Sequence, residues 1–379
     1  MPNLTELLEK FEPAAVAVDA TRCLNRRHKD VGCQRCLACP TGAITAGDPL
    51  TLDAGRCVGC GLCASACPVQ AFRLGGPTQR DILRSISEVP AGALEFACQR
   101  KSDPGLTRCG AAVVILLPCL ARLSPATLAA AASRGAVWLD DEGCRDCPLG
   151  NVRYRYLGLV IAVNRALGLS ETAPIHTYRL RQEGLANSAA TALVLDPETP
   201  AYSRRDFFGA LRREAARGLL GLLNRPGEAN TRAAWGPGRE ERAFLVSLLT
   251  EAFFAGKEQD LSGLPFGRLA ISAQCEACGL CAKQCPTGAV GLEKDARHFV
   301  LSFTSAECLG TACRVCQLIC PAGAAKVSSP AEARELRPGA TVPLLSGKLA
   351  DCAVCGEKFA AREGEGLCHI CRQSARPAD

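Results

Sequence analysis

Aromatic residues make up only 5% of the 379-residue chain, which holds two tryptophans, one methionine and four histidines. Modules this poor in large side chains suit folds held partly by metal. Long hydrophobic runs are also missing. The longest, Ala111 to Leu117, is far too short to cross a bilayer, so no membrane span is expected. The first residues carry Glu6, Glu9, Lys10 and Glu12 without an apolar core. No secretory signal is read there, and a cytoplasmic setting is expected. No Gly-x-Gly-x-x-Gly follows a strand pattern, and no Gly-x4-Gly-Lys-Ser/Thr loop occurs. With no flavin, nucleotide or molybdenum site in view, the chain is expected to carry single electrons and not to transform a substrate.

What the chain has in abundance is cysteine, 25 residues of it. An odd number, clustered at two-residue spacings, argues against a disulfide framework and for thiolate ligands in a reducing compartment. The stretch Cys57, Cys60, Cys63, Cys67-Pro68 is a C-x2-C-x2-C-x3-C-P run, the ligand pattern of a cubane iron–sulfur cluster. It returns intact at Cys275, Cys278, Cys281 and Cys285-Pro286. Looser versions accompany each copy: Cys23, Cys33, Cys36 and Cys39-Pro40 in the first half, Cys308, Cys313, Cys316 and Cys320-Pro321 in the second. Zinc sites rarely use three thiolates two apart with a remote fourth, so four [4Fe-4S] clusters are the expectation.

After each closing Cys-Pro comes a near-repeat: Thr-Gly-Ala-Ile, Val-Gln-Ala-Phe, Thr-Gly-Ala-Val and Ala-Gly-Ala-Ala. Proline stops the preceding turn and the next residues should enter a strand. Three closely spaced thiolates wrap one face of a cubane, and its fourth corner needs a ligand from elsewhere. In two-cluster ferredoxins the fourth cysteine crosses to the other cluster. Cys57, Cys60 and Cys63 are therefore paired with Cys39, and Cys23, Cys33 and Cys36 with Cys67. By the same exchange Cys275, Cys278 and Cys281 go with Cys320, and Cys308, Cys313 and Cys316 with Cys285. Both units resemble bacterial dicluster ferredoxins. The first departs from the pattern: nine residues separate Cys23 from Cys33, and only two separate Cys36 from Cys39.

Between these units, strand and helix patterns alternate. Helix 78–88, strand 94–97, strand 113–117, helix 125–133, strand 136–140 and helix 152–167 imply a small parallel α/β sheet. Cys98, Cys119, Cys144 and Cys147 fall just beyond three of those strands, where parallel sheets place their sites. From the residues alone the four could hold a cluster, form a redox-active thiol pair or be inert buried cysteines. The section resembles the delta subunit of methyl-viologen-reducing hydrogenase, an adaptor that passes electrons to heterodisulfide reductase. The resemblance rests on Phe96-Ala-Cys98, Pro118-Cys119, Gly135-Ala-Val137 and Gly143-Cys144-x2-Cys147 with Gly150-Asn151. It implies a [2Fe-2S] cluster on Cys98, Cys119, Cys144 and Cys147. Lys101 stands where a further cysteine is expected, with Cys109 later as a possible substitute.

The segment 183–263 contains no cysteine and is read as a helical linker with amphipathic helices at 204–223 and 239–254. The arginines of the first read as a solvated face in preference to a partner-docking one. At the end, Cys352-x2-Cys355 and Cys368-x2-Cys371 read as a zinc ribbon whose metal folds a segment too short for a core, with a rubredoxin-like iron centre as the alternative. His28 and His369, near cysteine motifs, are read as spectators.

The expected architecture is thus multidomain α+β: two ferredoxin-like dicluster modules (1–76 and 264–330), a small parallel α/β domain (77–182), the linker and a zinc-ribbon-like tail (345–379). The formal charge is +6. Six four-thiolate sites at about −2 each would take the loaded protein to roughly −6, so nucleic acid is an unlikely partner. The expected function is an iron–sulfur subunit relaying electrons from a hydrogenase or formate dehydrogenase to a heterodisulfide-reductase-like acceptor in an anaerobic complex. A redox- or oxygen-sensing regulator, or a thiol/disulfide reductase using the central cysteines, are the alternatives.

Overall fold

A computed structural model describes residues 16–47, 49–168, 174–197, 236–337, 339–362 and 364–374. The expected helix at 204–223 lies outside these residues.

Each cysteine-rich module is closed by its own ends. In the first, Val16–Val18 pairs antiparallel with Phe72–Leu74, and Ile44–Thr45 forms a short hairpin with Thr51–Leu52. In the second, Arg268–Ile271 pairs with Ala325–Ser328, and Val290–Lys294 pairs with His298–Phe303. A third strand, Val342–Lys348, adds to His298–Phe303 and leads into the tail. The four Cys-Pro turns are built alike. The residue three after each cysteine (Gly42, Gln70, Gly288, Gly323) has a positive φ, and its N–H bonds back to the cysteine carbonyl. The strand begins two residues later. Glycine fits three of these left-handed positions without steric cost. The fourth carries Gln70, whose side chain donates to Glu241 across a module boundary at 2.9 Å.

The central domain is a five-stranded parallel sheet of β1 (Leu94–Cys98), β2 (Val113–Leu117), β3 (Val137–Leu139), β4 (Ile175–Thr177) and β5 (Leu193–Leu195), in the order β5-β2-β1-β3-β4. The two edge strands were not anticipated, and β5 comes from the segment read as a helical linker. Three residues without alternation give too little pattern to betray a strand. Among the described residues, four helices accompany the sheet: α1 (Gln79–Glu88), α2 (Pro125–Ala132), α3 (Arg153–Ala166) and α4 (Gly236–Phe254). Thr78 and Asp81 form a capping box at the start of α1, and Ser124 caps α2 ahead of Pro125.

The alanine-rich α2 lets the other three helices approach closely and packs against all of them. Its core is shared. Leu245, Val246 and Leu249 of α4 are buried with Leu128 of α2 and Val163 of α3. Phe266 and Ala306 of the second cysteine-rich unit, and Leu336 just after it, are buried in the same cluster. A second core joins the two units directly, with Val31 and Leu24 of the first packed with Leu309 and Val315 of the second. The described part of the linker therefore seals one body to another.

Leu249 is 1% exposed at the centre of the shared core. Leu249→Ala should cost about 2–5 kcal/mol in urea unfolding followed by far-UV circular dichroism. A loss under about 1 kcal/mol would mean that α4 is not part of that core.

Candidate metal centres

The tight turns inside the motifs are set by backbone that only small residues adopt easily. Gly61 and Gly279 stand at equivalent places between the second and third cysteines, with φ of 83° and 82°. Each starts a one-turn helix carrying the third cysteine, Leu62–Ala66 and Leu280–Gln284. A Cβ on Gly61 would meet Cγ of Arg122 at 2.5 Å, while one on Gly279 would meet Cδ2 of Leu292 at 2.9 Å.

The chain crossings bring the cysteines together in groups of four. The Cys36 thiol is pushed up to about 11 by burial and by the charges of Cys67, Cys33 and Cys23. Those four line a cavity of about 260 Å³. Cys63, up to about 12 through burial, faces Cys60, Cys57 and Cys39. In the second unit Cys281 is raised to about 12 by burial beside Cys275, Cys278 and Cys320. Cys313, also about 12 through burial, adjoins Cys285 and Cys308, and Cys316 faces the same three. Sulfurs this desolvated favour the neutral thiol unless a cation replaces the lost water.

Several sulfurs accept backbone N–H groups. Ala71 donates to Cys67 at 3.3 Å, Ala277 to Cys275 at 3.4 Å, Gly310 to Cys308 at 3.3 Å and Ala324 to Cys320 at 3.2 Å. Such donors stabilise negative charge on sulfur. Among the described residues, only the tail cysteines bring three or more ligand atoms within 4.8 Å of one another. The other quartets are too wide for one ion and suit a polynuclear group.

In the central domain, Cys98, Cys119, Cys144 and Cys147 line one cavity of about 360 Å³ at the carboxyl ends of β1, β2 and β3. Leu149 N–H donates to Cys147 Sγ at 3.4 Å, and Arg100 lies 3.7 Å from the same sulfur. Tyr156 O–H points at Cys144 Sγ, 3.7 Å away, and at Asp141, 3.4 Å away. These donors escaped the sequence reading because nothing in their spacing marks them. Cys60 of the first module lines the same cavity.

Cys109 and Lys101 lie elsewhere. Strand alternation turns Glu95 of β1 away from the side that carries Phe96 and Cys98. Glu95 is fully buried, accepts from Lys101 and Thr107 at 2.5 Å each, and is joined by Tyr178. Cys109 Sγ joins this polar group 3.4 Å from Glu95. Lys101 also reaches Asp140 at 3.0 Å. A cysteine at 101 is therefore not replaced by Cys109 in space; a lysine–carboxylate network takes its place.

The tail closes on itself. Cys352, Cys355, Cys368 and Cys371 have all their sulfurs within 4.8 Å, and Cys355 Sγ lies 3.7 Å from Cys368 Sγ. A tetrahedral zinc with bonds of about 2.3 Å would set its sulfurs about 3.8 Å apart. Backbone N–H groups of Cys355 and Cys368 hold Cys352 down to about 6. The tail docks on the second module through Glu276, which is 4% exposed. Glu276 accepts from His369 N–H at 2.8 Å and pairs with Arg372, while its own carbonyl accepts from Ala360 N–H at 3.0 Å. His369 also lines the pocket of Cys275, Cys278, Cys281 and Cys320. The His28 ring accepts from the N–H of Asp30 at 3.3 Å.

Gly61→Ala and Gly279→Ala both force alanine into left-handed backbone, costing about 1–2 kcal/mol. Gly61→Ala should cost more in urea unfolding of the metal-loaded protein, because it collides with the packed stem of Arg122 where Gly279→Ala meets a leucine tip. Equal losses would show that Arg122 yields freely.

Residues 50–73 match the family model of the 4Fe-4S binding domain, and residues 274–324 match that of the 4Fe-4S dicluster domain. The first match takes in Cys57, Cys60, Cys63 and Cys67 but not the irregular motif at Cys23–Cys39; the second takes in all eight cysteines of its module. No curated protein matches the chain. Among the described residues no helix is long and apolar enough to cross a membrane. The chain thus carries ferredoxin-type iron–sulfur modules, the kind that transfers electrons.

Proposed function

We propose that the chain is an electron-relay subunit holding four [4Fe-4S] clusters, one [2Fe-2S] cluster and one zinc ion. The cubanes are held by Cys23, Cys33, Cys36 and Cys67; by Cys39, Cys57, Cys60 and Cys63; by Cys275, Cys278, Cys281 and Cys320; and by Cys285, Cys308, Cys313 and Cys316. Cys98, Cys119, Cys144 and Cys147 hold the two-iron cluster, and Cys352, Cys355, Cys368 and Cys371 hold zinc. When bound, each iron–sulfur cluster supplies a one-electron site whose potential follows from burial, sulfur hydrogen bonds and nearby charge.

The observation that carries the reading is the position of Cys60. It belongs to one ferredoxin quartet and also lines the cavity of the central four cysteines. Ser65 of the same module donates to the carbonyl of Ala121 at 2.7 Å, next to Cys119. A relay needs its sites close together, and this shared wall would hold the two close. At the other side of the first module, Arg314 reaches the carbonyl of Val31 at 3.5 Å, which sets the 23–36 loops against the 308–316 loops. Passed from neighbour to neighbour, electrons would visit the central quartet, Cys39/57/60/63, Cys23/33/36/67, Cys285/308/313/316 and Cys275/278/281/320. Cys278 is exposed at the far end. Zinc is redox-silent, so the tail braces that end and does not extend the path.

Resemblance of the central domain to the hydrogenase delta subunit supports a donor such as a hydrogenase or formate dehydrogenase and a heterodisulfide-reductase-like acceptor. Thiolate ligation favours a reducing, anaerobic compartment.

Anaerobically purified protein should contain about 18 iron atoms and about one zinc per chain. Cys119→Ser should lower iron to about 16 and Cys109→Ser should leave it unchanged. Iron near 16 in the wild type would remove the central cluster from this reading, and iron near 19 without zinc would turn the tail into an iron centre.

A further inference from the structure

Nine residues, Leu24 to Gly32, separate Cys23 from Cys33, where the regular ferredoxin motif has two. This insertion is a folded loop. Leu24 and Val31, 1% and 5% exposed, anchor its ends in the core shared with Leu309 and Val315 of the second module. Asn25 clasps Cys33 twice, donating to its carbonyl at 2.9 Å and accepting its N–H at 2.8 Å. Between these anchors Arg26, Arg27 and Lys29 are exposed, and so is Arg35 beyond Cys33. Arg26, Lys29 and Arg35 line the cavity of Cys23, Cys33, Cys36 and Cys67. The charge of Arg27 reaches Cys313 across the module boundary.

Among the described residues no carboxylate lines that cavity. Asp19 is engaged by Arg22 and Arg73, and Asp30 lies 3.8 Å from His28. Among the described residues no ion pair or side-chain hydrogen bond holds Arg26, Lys29 or Arg35. Even counting Asp30 and Asp48, the latter outside the described residues, segments 24–35 and 46–49 hold four cations against two acids. The other cavities differ. Glu276 and His369 line that of Cys275, Cys278, Cys281 and Cys320, and no lysine or arginine does. In the central cavity Arg153 is paired with Asp141, and Arg100 stands against Cys147. A cubane with its thiolates carries about −2, so it repels a negatively charged reductant that comes close. Exposed cations around such a site offset that charge and draw in an acidic partner.

We propose that the insertion is a docking surface for an acidic one-electron carrier protein, which exchanges electrons directly with the cluster of Cys23, Cys33, Cys36 and Cys67. Arg26, Lys29 and Arg35 meet the carrier's carboxylates. Leu37, 40% exposed beside Cys36, gives the contact an apolar spot. This site stands between the central quartet and Cys275/278/281/320 on the relay, so an electron entering there can leave toward either end. The step moves one electron: the carrier is oxidised, the cubane is reduced, and no bond is made or broken. The inference rests on the four-cubane reading given above.

The test is stopped-flow reduction of the anaerobic, metal-loaded full-length protein by an acidic flavodoxin, with iron measured on the same samples. The flavodoxin starts as its anionic hydroquinone and becomes the neutral semiquinone as one cubane gains the electron. The wild-type second-order rate constant should fall steeply between about 10 mM and about 150 mM salt. In the triple variant Arg26→Gln, Lys29→Gln, Arg35→Gln it should be about tenfold lower at the lower salt and nearly flat with salt, at unchanged iron. Reduction by the methyl viologen radical cation, which needs no basic face, should not slow. A control with three exposed cations removed elsewhere, Arg297→Gln, Lys326→Gln and Lys348→Gln, should keep most of the wild-type rate. An unchanged rate in the insertion variant at full iron content would overturn the proposal. So would an equal loss in the control, which makes net charge the cause, or an equal loss with methyl viologen, which makes the cluster itself the cause. Retention of single-stranded RNA by the wild type but not the variant, with flavodoxin reduction unaffected, would overturn it in favour of nucleic acid. A wild type lacking about 16 cubane irons would instead overturn the cluster reading beneath it.

Discussion

The fourth cysteine of each motif stands with the first three of the other, and the rest of both modules follows from that crossing. To place Cys39 with Cys57–Cys63 and Cys67 with Cys23–Cys36, the chain must run out and back over itself. The antiparallel pairing of Val16–Val18 with Phe72–Leu74 is what such a return produces. The second module repeats the solution with Arg268–Ile271 and Ala325–Ser328. The first module has no aromatic-rich interior: Phe72 is the one aromatic residue in its buried cluster, where cysteines fill the flanks. A fold with so little apolar volume depends on whatever fills its thiol-lined hollows.

Charge is distributed around those hollows by parts of the chain that lie far off in sequence. Arg122 comes from the loop after β2, Arg242 from α4, and Glu276 pairs with Arg372 and accepts from the backbone N–H of His369 in the tail. The central sheet, α4 and the tail are thus more than connections. They close the cysteine loops from outside and decide what charge each loop meets. α4 has a second part in this, because its apolar side completes a core shared by the α/β domain and the second module.

Much of this was legible before any coordinates. Short apolar runs alternating with helical patterns placed β1, β2 and β3 and the helices around them to within a residue or two, and the Cys-Pro grammar marked four strand starts. The short edge strands β4 and β5 carried no such pattern, since three residues buried by neighbours need no alternation of their own. Lys101 was visible as a departure. That it answers Glu95 and Asp140 could not be seen, because the three meet only when β1 and β3 pair. The arginines and Tyr156 were equally silent, as a donor aimed at a sulfur or a carbonyl leaves no spacing rule behind it.

By itself the sequence determined the chemistry: soft sulfur ligands at intervals that a short turn can gather, with glycine where the backbone must go left-handed. Those are local properties, written within a dozen residues. Tertiary structure alone decided which quartets share a wall, which meet a buried cation and which cysteine stands apart with a carboxylate. Such relations depend on segments that meet across as many as 66 positions, and only packing brings them within reach.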